Sequence, residues 1–245
     1  MESVEVFGLK VHDLDYSQAL KRVREFIITG EPRWAVSINP EKAVKARRDL
    51  SLQQVLTKGD ICLPDGTGVV LAARLLHKRN LKRITGIDLM KELVKTAPQE
   101  GYSIFLLGSK PGVAEEAARR WMDRHPGLKI AGTHHGYFSS PGEEEEVVEK
   151  VREASPHILF VALGSPRQEY WITSHLEQLG VPFVMGVGGS LDVEAGITLR
   201  APSWCQKLGL EWLYRLLREP TRVKRFSFLP LFALLLGVEW LKNLR

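Results

Sequence analysis

The chain is short of cysteine, of long apolar runs and of any dinucleotide fingerprint, and each shortage removes a class of protein. Cys62 and Cys205 are the only cysteines among 245 residues and lie far apart. They make neither a disulfide framework nor a metal-ligand spacing, so a reducing compartment is expected. The uncharged stretch Phe226–Val238 has 13 residues and contains Pro230, whereas a spanning helix needs about 20 apolar residues. It is not expected to span a membrane. The start, Met-Glu-Ser-Val-Glu-Val, has neither a basic nor an apolar leader, so no export signal is expected and any membrane is approached from the cytoplasmic side. No G-x-G-x-x-G followed by an acidic ribose contact occurs, which disfavours a nicotinamide oxidoreductase. No helix-turn-helix or zinc-finger spacing and no basic stripe with interleaved aromatics mark a nucleic-acid binder.

Charge of one sign is present, but in one place. Residues 200–245 hold nine Lys/Arg against three Glu, while the rest of the chain holds 25 against 26. The pI of about 9.2 therefore describes a tail on a near-neutral body. Arg215, Arg218, Arg222 and Arg225 are spaced to share a helical arc of roughly 80°, provided that Pro220 opens a new helix in the same direction. With the apolar run beside them, they compose a segment suited to the interface of an anionic membrane. A last core helix with a solvated basic face is the plainer alternative.

Short aliphatic runs alternate with amphipathic stretches, the pattern of parallel sheets built by strand–helix crossovers. Strands are predicted near 3–7, 33–38, 61–63, 103–107, 129–133, 158–162 and 183–187. Helices are predicted over 17–28, 40–57 with a break near Asp49, 68–76, 87–97, 112–125, 143–154 and 168–179, with only helical signals after about 202. The expected architecture is α/β: a mostly parallel Rossmann-like sheet flanked by helices, residues 1–199, and a C-terminal helical, membrane-facing appendage, residues 200–245.

In such sheets ligands bind beyond the carboxyl ends of the strands. The turns there are Asn39-Pro40-Glu41, Pro64-Asp65-Gly66-Thr67-Gly68, Gly108 to Gly112, Gly164 to Glu169, and Gly186-Val187-Gly188-Gly189. Glycine at strand-to-helix turns lets backbone N–H groups approach phosphate, and a nucleotide-containing ligand suits several such turns on one edge. Asp65, fixed between Pro64 and Gly66, could accept a proton from a hydroxyl, or cap the following helix. Asp13-Leu14-Asp15 has a metal-like spacing, but its place before a helix suits capping. Glu143–Glu146 at a helix start offsets the helix dipole, and His134-His135 is read as a strand end. No metal and no cofactor are expected.

Taken in order, these segments resemble the WecG/TagA/CpsF family of bacterial glycosyltransferases. The resemblance is carried by Ser37-Ile-Asn39-Pro-Glu41, Pro64-Asp65-Gly66-x-Gly68, Arg83-Ile-Thr85-Gly86-x-Asp88 and His135-Gly136-Tyr137-Phe138. It continues in Gly164-Ser-Pro166-Arg167-Gln168-Glu169, Gly186-Val-Gly188-Gly189, Arg200-Ala-Pro202-x-Trp204 and Gly209-Leu-Glu211-Trp212-Leu-Tyr214-Arg215. Ser37 and Arg167 stand where the family often has Thr and Lys. The resemblance implies inverting, metal-independent transfer of N-acetylmannosamine from its UDP derivative to N-acetylglucosaminyl-diphospho-undecaprenol, a step of wall teichoic acid synthesis, at the inner face of the cell membrane. Relatives using UDP-linked N-acetylmannosaminuronic acid or glucose share the scaffold, and a docking protein without catalysis is the rival class. The implied catalytic residues are Asp65, as general base, with Ser37 and Asn39. Donor binding falls to Thr67, Gly108, Gly136, Gly164, Arg167, Gln168, Glu169, Gly186, Gly188 and Gly189, and the acceptor diphosphate to Arg215, Arg218, Arg222 and Arg225. Homo-oligomerisation is left open.

Overall fold

A computed structural model describes residues 1–138, 140–218 and 228–243. Six strands form one parallel sheet: β3 (Arg33–Ile38), β4 (Ile61–Pro64), β5 (Ser103–Gly108), β6 (Lys129–His134), β7 (Ile158–Ala162) and β8 (Phe183–Gly186). Their order is β4-β3-β8-β7-β5-β6. Because every neighbouring pair is parallel, all six carboxyl ends open on one edge. The first predicted strand does not join this sheet. It is β1 (Ser3–Val6), paired antiparallel with β2 (Leu9–His12), a strand absent from the sequence reading. The turn between them places Phe7 and Gly8 at φ 52° and 80°; a tight hairpin turn asks for positive φ at both positions, and Phe there gives no turn signal.

Period-two alternation sorts each strand onto two cores. Phe105, Leu107, Leu159 and Val161 face one layer, built from α2 (Pro40–Ala46), α3 (Leu50–Thr57), α4 (Thr67–His77), α7 (Pro141–Ala154) and α8 (Arg167–Leu179). Ile104, Leu106, Ile158 and Phe160 face the other, built from α1 (Tyr16–Thr29), α5 (Gly86–Glu100), α6 (Val113–Arg124) and the short α9 (Ser190–Glu194). Several boundaries follow from caps. Asp15 closes a capping box on α1, Asp49 caps α3 and splits 40–57 as expected, and Ser140 caps α7 with Glu143 and Glu144 in its first turn.

After α10 (Ser203–Lys207) and α11 (Glu211–Arg218), the last helix, α12 (Phe228–Asn243), takes Pro230 in its first turn. It lies on α2 and α4. Phe232 and Leu236 are buried, and the Phe232 ring meets Phe7 edge-on at 5.0 Å. Arg47 pairs with Glu239 across the same seat. On the opposite side Leu234, Val238 and Leu241 are exposed, at i, i+4, i+7 spacing and so on one helical face.

The hairpin carries a pH-dependent contact. His12 is buried and its Nδ1 accepts from Cys62 N–H at 2.9 Å, a bond open only to the neutral ring. Burial, helped by the nearby positive charge of Lys10, pushes the imidazole down to about 4. A depressed histidine stabilises the fold above its unfolded value of about 6.5 and loses that contribution as pH falls through the folded value. Denaturation midpoints should therefore drop between pH 6.5 and 4 by the equivalent of about 3 kcal/mol. His12→Asn, which keeps an acceptor but cannot gain a proton, should flatten that slope; an unchanged slope would contradict the assignment.

Candidate active site

Two places on the carboxyl edge stand out. The first is the gap between β5 and β7. These strands are neighbours, yet the chain leaves β5 through α6 towards β6 and leaves β7 through α8 towards β8, on the opposite side. Such a divergence opens a crevice. Its walls are too close for side chains at two glycines. A Cβ at Gly108, where φ is 125°, would stand 2.5 Å from the Ala162 carbonyl carbon, and one at Gly136 would stand 2.4 Å from Leu163 Cδ2. Gly164, at φ 77°, has open space around its Cα. Arg167 is exposed and its guanidinium lies 5.2 Å from the Phe138 ring centre.

The second place surrounds Asp65, just past β4 and about 17 Å along the sheet edge from the crevice at the usual strand spacing. Its backbone N–H donates to the Ile38 carbonyl at 2.9 Å, which ties it to the end of β3. The helix α4 starts at Thr67 behind Gly66 as its N-cap, with no side-chain cap, so the carboxylate is not spent there. Asp65 Oδ2 instead accepts from the Gly86 N–H at 3.3 Å, at the start of α5. Ser37 fits against the same spot: a Cβ at Gly86 would stand 2.6 Å from Ser37 Oγ, so only glycine admits the hydroxyl. Burial raises the Asp65 carboxyl above the ordinary range. The Gly86 N–H, the positive charge of Lys42 and the Ser37 hydroxyl offset part of that rise. A carboxylate with raised proton affinity beside a hydroxyl is equipped to take up a proton.

The remaining predicted residues divide into those at the edge and those turned inward. Asn39 sits at the edge, but its Oδ1 caps α2 through the Lys42 N–H at 2.9 Å. Thr67 is exposed and underlies the α10–α11 turn, where a Cβ at Gly209 would stand 2.2 Å from Thr67 Cγ2. Gln168 and Glu169 are buried. The Gln168 amide donates to Glu169 Oε1 at 2.9 Å and accepts from the Gly188 N–H at 3.0 Å. Gly186 makes room for it, since a Cβ there would stand 2.5 Å from Gln168 Nε2. Gly189 precedes α9. Arg218 is exposed, 5.6 Å from the Tyr214 ring centre. Arg222 and Arg225 lie outside the described residues, as does the side chain of Arg215.

Two features were missed in the sequence. Lys42 is 5% exposed and makes a 2.8 Å ion pair with the fully buried Glu169. A chain of charges also ties the C-terminal segment to the Asp65 side. Arg200 grips Asp88 at 2.5 and 2.8 Å and reaches Glu211 at 3.3 Å, while Arg83 holds the same Glu211 at 3.2 Å. Burial pushes the Asp88 carboxyl up, but the Arg200 and Thr85 hydrogen bonds outweigh it and hold it below the usual value. Arg83, Thr85, Asp88, Arg200 and Glu211 all stood in the quoted motifs; what linked them was invisible until α11 was seated.

An open parallel sheet with glycine turns, a crevice between diverging strands and a partly buried carboxylate on one edge is the architecture of proteins that take nucleotide ligands there. The chain belongs to the glycosyl transferase WecG/TagA/CpsF family, whose sequence pattern matches residues 4–245. Among curated relatives it is 39% identical to a protein of Bacillus subtilis (strain 168) over 198 residues, 81% of this chain and 76% of the relative. It is 34% identical to one of Staphylococcus aureus (strain MW2) over 231 residues, 94% of this chain and 90% of the relative. Both relatives are named N-acetylglucosaminyldiphosphoundecaprenol N-acetyl-beta-D-mannosaminyltransferase. Among the described residues no helix is long and apolar enough to cross a membrane.

Proposed function

We propose that this chain transfers N-acetylmannosamine, with inversion, from UDP-N-acetylmannosamine to N-acetylglucosaminyl-diphospho-undecaprenol, with Asp65 as the general base. The observation that carries the reading is the setting of Asp65, a carboxylate of raised proton affinity on the ligand-binding edge of a member of this family. The names of the relatives supply the sugar and the acceptor.

In the proposed step an acceptor hydroxyl oxygen attacks the anomeric carbon, its proton passes to Asp65, and the anomeric C–O bond breaks with its electron pair leaving on UDP. A single displacement inverts the centre and needs one base. The UDP moiety occupies the crevice between β5 and β7, where Gly108 and Gly136 let the turns pack closely and Gly164 leaves open space for its phosphates, and the sugar reaches along the edge towards Asp65. Ser37 and the Gly86 N–H hold the base in place. Gln168 and Glu169 serve the donor at one remove, by fixing the Gly188 turn.

Arg215, Arg218, Arg222 and Arg225 neutralise the diphosphates in place of a metal. The exposed Leu234, Val238 and Leu241 face, with Trp204 and Leu208 also exposed, supports peripheral attachment to the inner leaflet, where the acceptor resides. Residues 1–199 then act as the catalytic domain and residues 200–245 as its membrane-facing appendage.

The test is an assay of UDP-linked N-acetylmannosamine, N-acetylmannosaminuronic acid and glucose against a short-chain polyprenyl-diphosphate-linked N-acetylglucosamine. Transfer is expected from UDP-N-acetylmannosamine and should persist in EDTA. Absence of transfer from every donor would favour a docking protein, and loss of transfer in EDTA would overturn the metal-free mechanism.

A further inference from the structure

We propose that Arg200 is a positioning residue for this reaction: its guanidinium joins the start of α11 to the turn that holds Asp65, so that the helix on the acceptor side and the base are set in one frame. The inference rests on the reading of Asp65 as the base.

A continuous run of contacts leads from α11 to the carboxylate. Glu211, the first residue of α11, accepts from Arg200 Nε at 3.3 Å, while Arg200 Nη1 and Nη2 donate to Asp88 Oδ1 and Oδ2 at 2.5 and 2.8 Å. Asp88 Oδ2 also accepts from the hydroxyl of Thr85, the N-cap of α5, at 2.6 Å. The next residue, Gly86, donates its N–H to Asp65 Oδ2 at 3.3 Å. Behind that turn the Ile84 N–H donates to the Pro64 carbonyl at 3.1 Å, which ties the start of α5 to the Asp65 loop. The two form one unit, and Arg200 fastens α11 to it.

The same segment meets the Asp65 loop at a second point. Gly209, at φ 71° in the turn before α11, lies so close to Thr67 that a Cβ there would stand 2.2 Å from Thr67 Cγ2. Arg83 Nη2 donates to the other Glu211 oxygen at 3.2 Å, so Glu211 is bracketed by two guanidinium groups. Arg200 and Glu211 are only 13% and 16% exposed, which shields the clamp from solvent. The choice of arginine is informative: all three guanidinium nitrogens are engaged at once, and a planar fork fixes direction as well as charge. A lysine ammonium could balance the carboxylates but could not hold them at a set angle. Direction matters here because α11 carries Arg215 and Arg218, the residues proposed for the acceptor diphosphate.

The experiment measures kcat and the KM for UDP-N-acetylmannosamine, with a short-chain polyprenyl-diphosphate-linked acceptor, in the parent, Arg200→Lys, Glu211→Gln and the double variant. Thermal melts fix an assay temperature well below every transition, and UDP binding at that temperature shows that the crevice is intact. Arg200→Lys keeps a positive charge between the two carboxylates and is the variant least exposed to misfolding. Each single variant is expected to lower kcat about tenfold or more, the scale of a small misplacement of reacting groups, while the KM for the sugar nucleotide and the affinity for UDP stay within about twofold of the parent. The double variant should be no worse than the poorer single, because the two residues act as one device. A merely structural clamp would lower the melting temperature and leave kcat parental below it. Parental kcat in either folded single variant, losses that multiply in the double, or UDP affinity falling in step with kcat overturns the inference. Full transfer by Asp65→Asn would instead overturn the base assignment, and this inference with it.

Discussion

Asp65→Asn is expected to lower kcat for sugar transfer by about 10²–10⁴-fold, the usual worth of a positioned general base, while UDP still binds. The isosteric amide can accept from the Gly86 N–H as Oδ2 does now, so the local geometry survives and only the proton acceptor is lost. The same variant should melt no lower than the parent. A carboxyl raised on folding makes the native state hold its proton more tightly than the unfolded chain does. Stability then falls as pH rises from the unfolded value through the folded one, so above that range the carboxyl opposes folding. Removing that charge relieves the fold, a common trade between activity and stability. Near-parental turnover, or a clear loss of melting temperature, would argue that Asp65 holds the loop and does no chemistry.

The second large effect is on stability. Lys42→Met alone is expected to destabilise the protein by about 3–5 kcal/mol, because it strands the buried Glu169 carboxylate. Lys42→Met/Glu169→Gln should recover most of that loss, since no unpaired ion remains. Chemical denaturation of the four corners of this cycle measures the coupling directly. If the single variant lost no more than the double, Glu169 would not depend on Lys42 for its burial.

Much of the layer architecture was legible in the sequence because it is written locally. Aliphatic alternation marked the six sheet strands, and Asp15, Asp49 and Ser140 sit where helices begin. Strand β2 escaped because Phe7 occupies a turn position more often held by Asn or Gly, and α9 because five residues carry little periodicity. At the site, Asp65 and the glycine turns could be found from their places after strands. Lys42 could not. Within Pro40–Ala46 it reads as one of two lysines on a surface helix, and only a partner far along the chain, Glu169, makes it interior. The resemblance implies Gln168 and Glu169 for donor binding; the structure buries both at the start of α8, and a polar pair at a helix start does not by itself say which way it turns. The link from Arg83 and Arg200 through Glu211 likewise required α11 to be seated.

The strand order separates the work of the edge by position in the chain. Residues 33–88 build the side that carries Ser37, Asp65 and Gly86, and residues 103–168 build the glycine crevice on the other; β8 closes the gap between them afterwards. In the proposed reaction the first stretch sets how a proton is taken and the second sets what nucleotide is held. Substitutions in one stretch can then alter ligand preference without disturbing the base, and the converse holds. The seam at Gly186 to Gly189, reached from both sides through Gln168, Glu169 and Lys42, is where the two tasks cannot be changed independently.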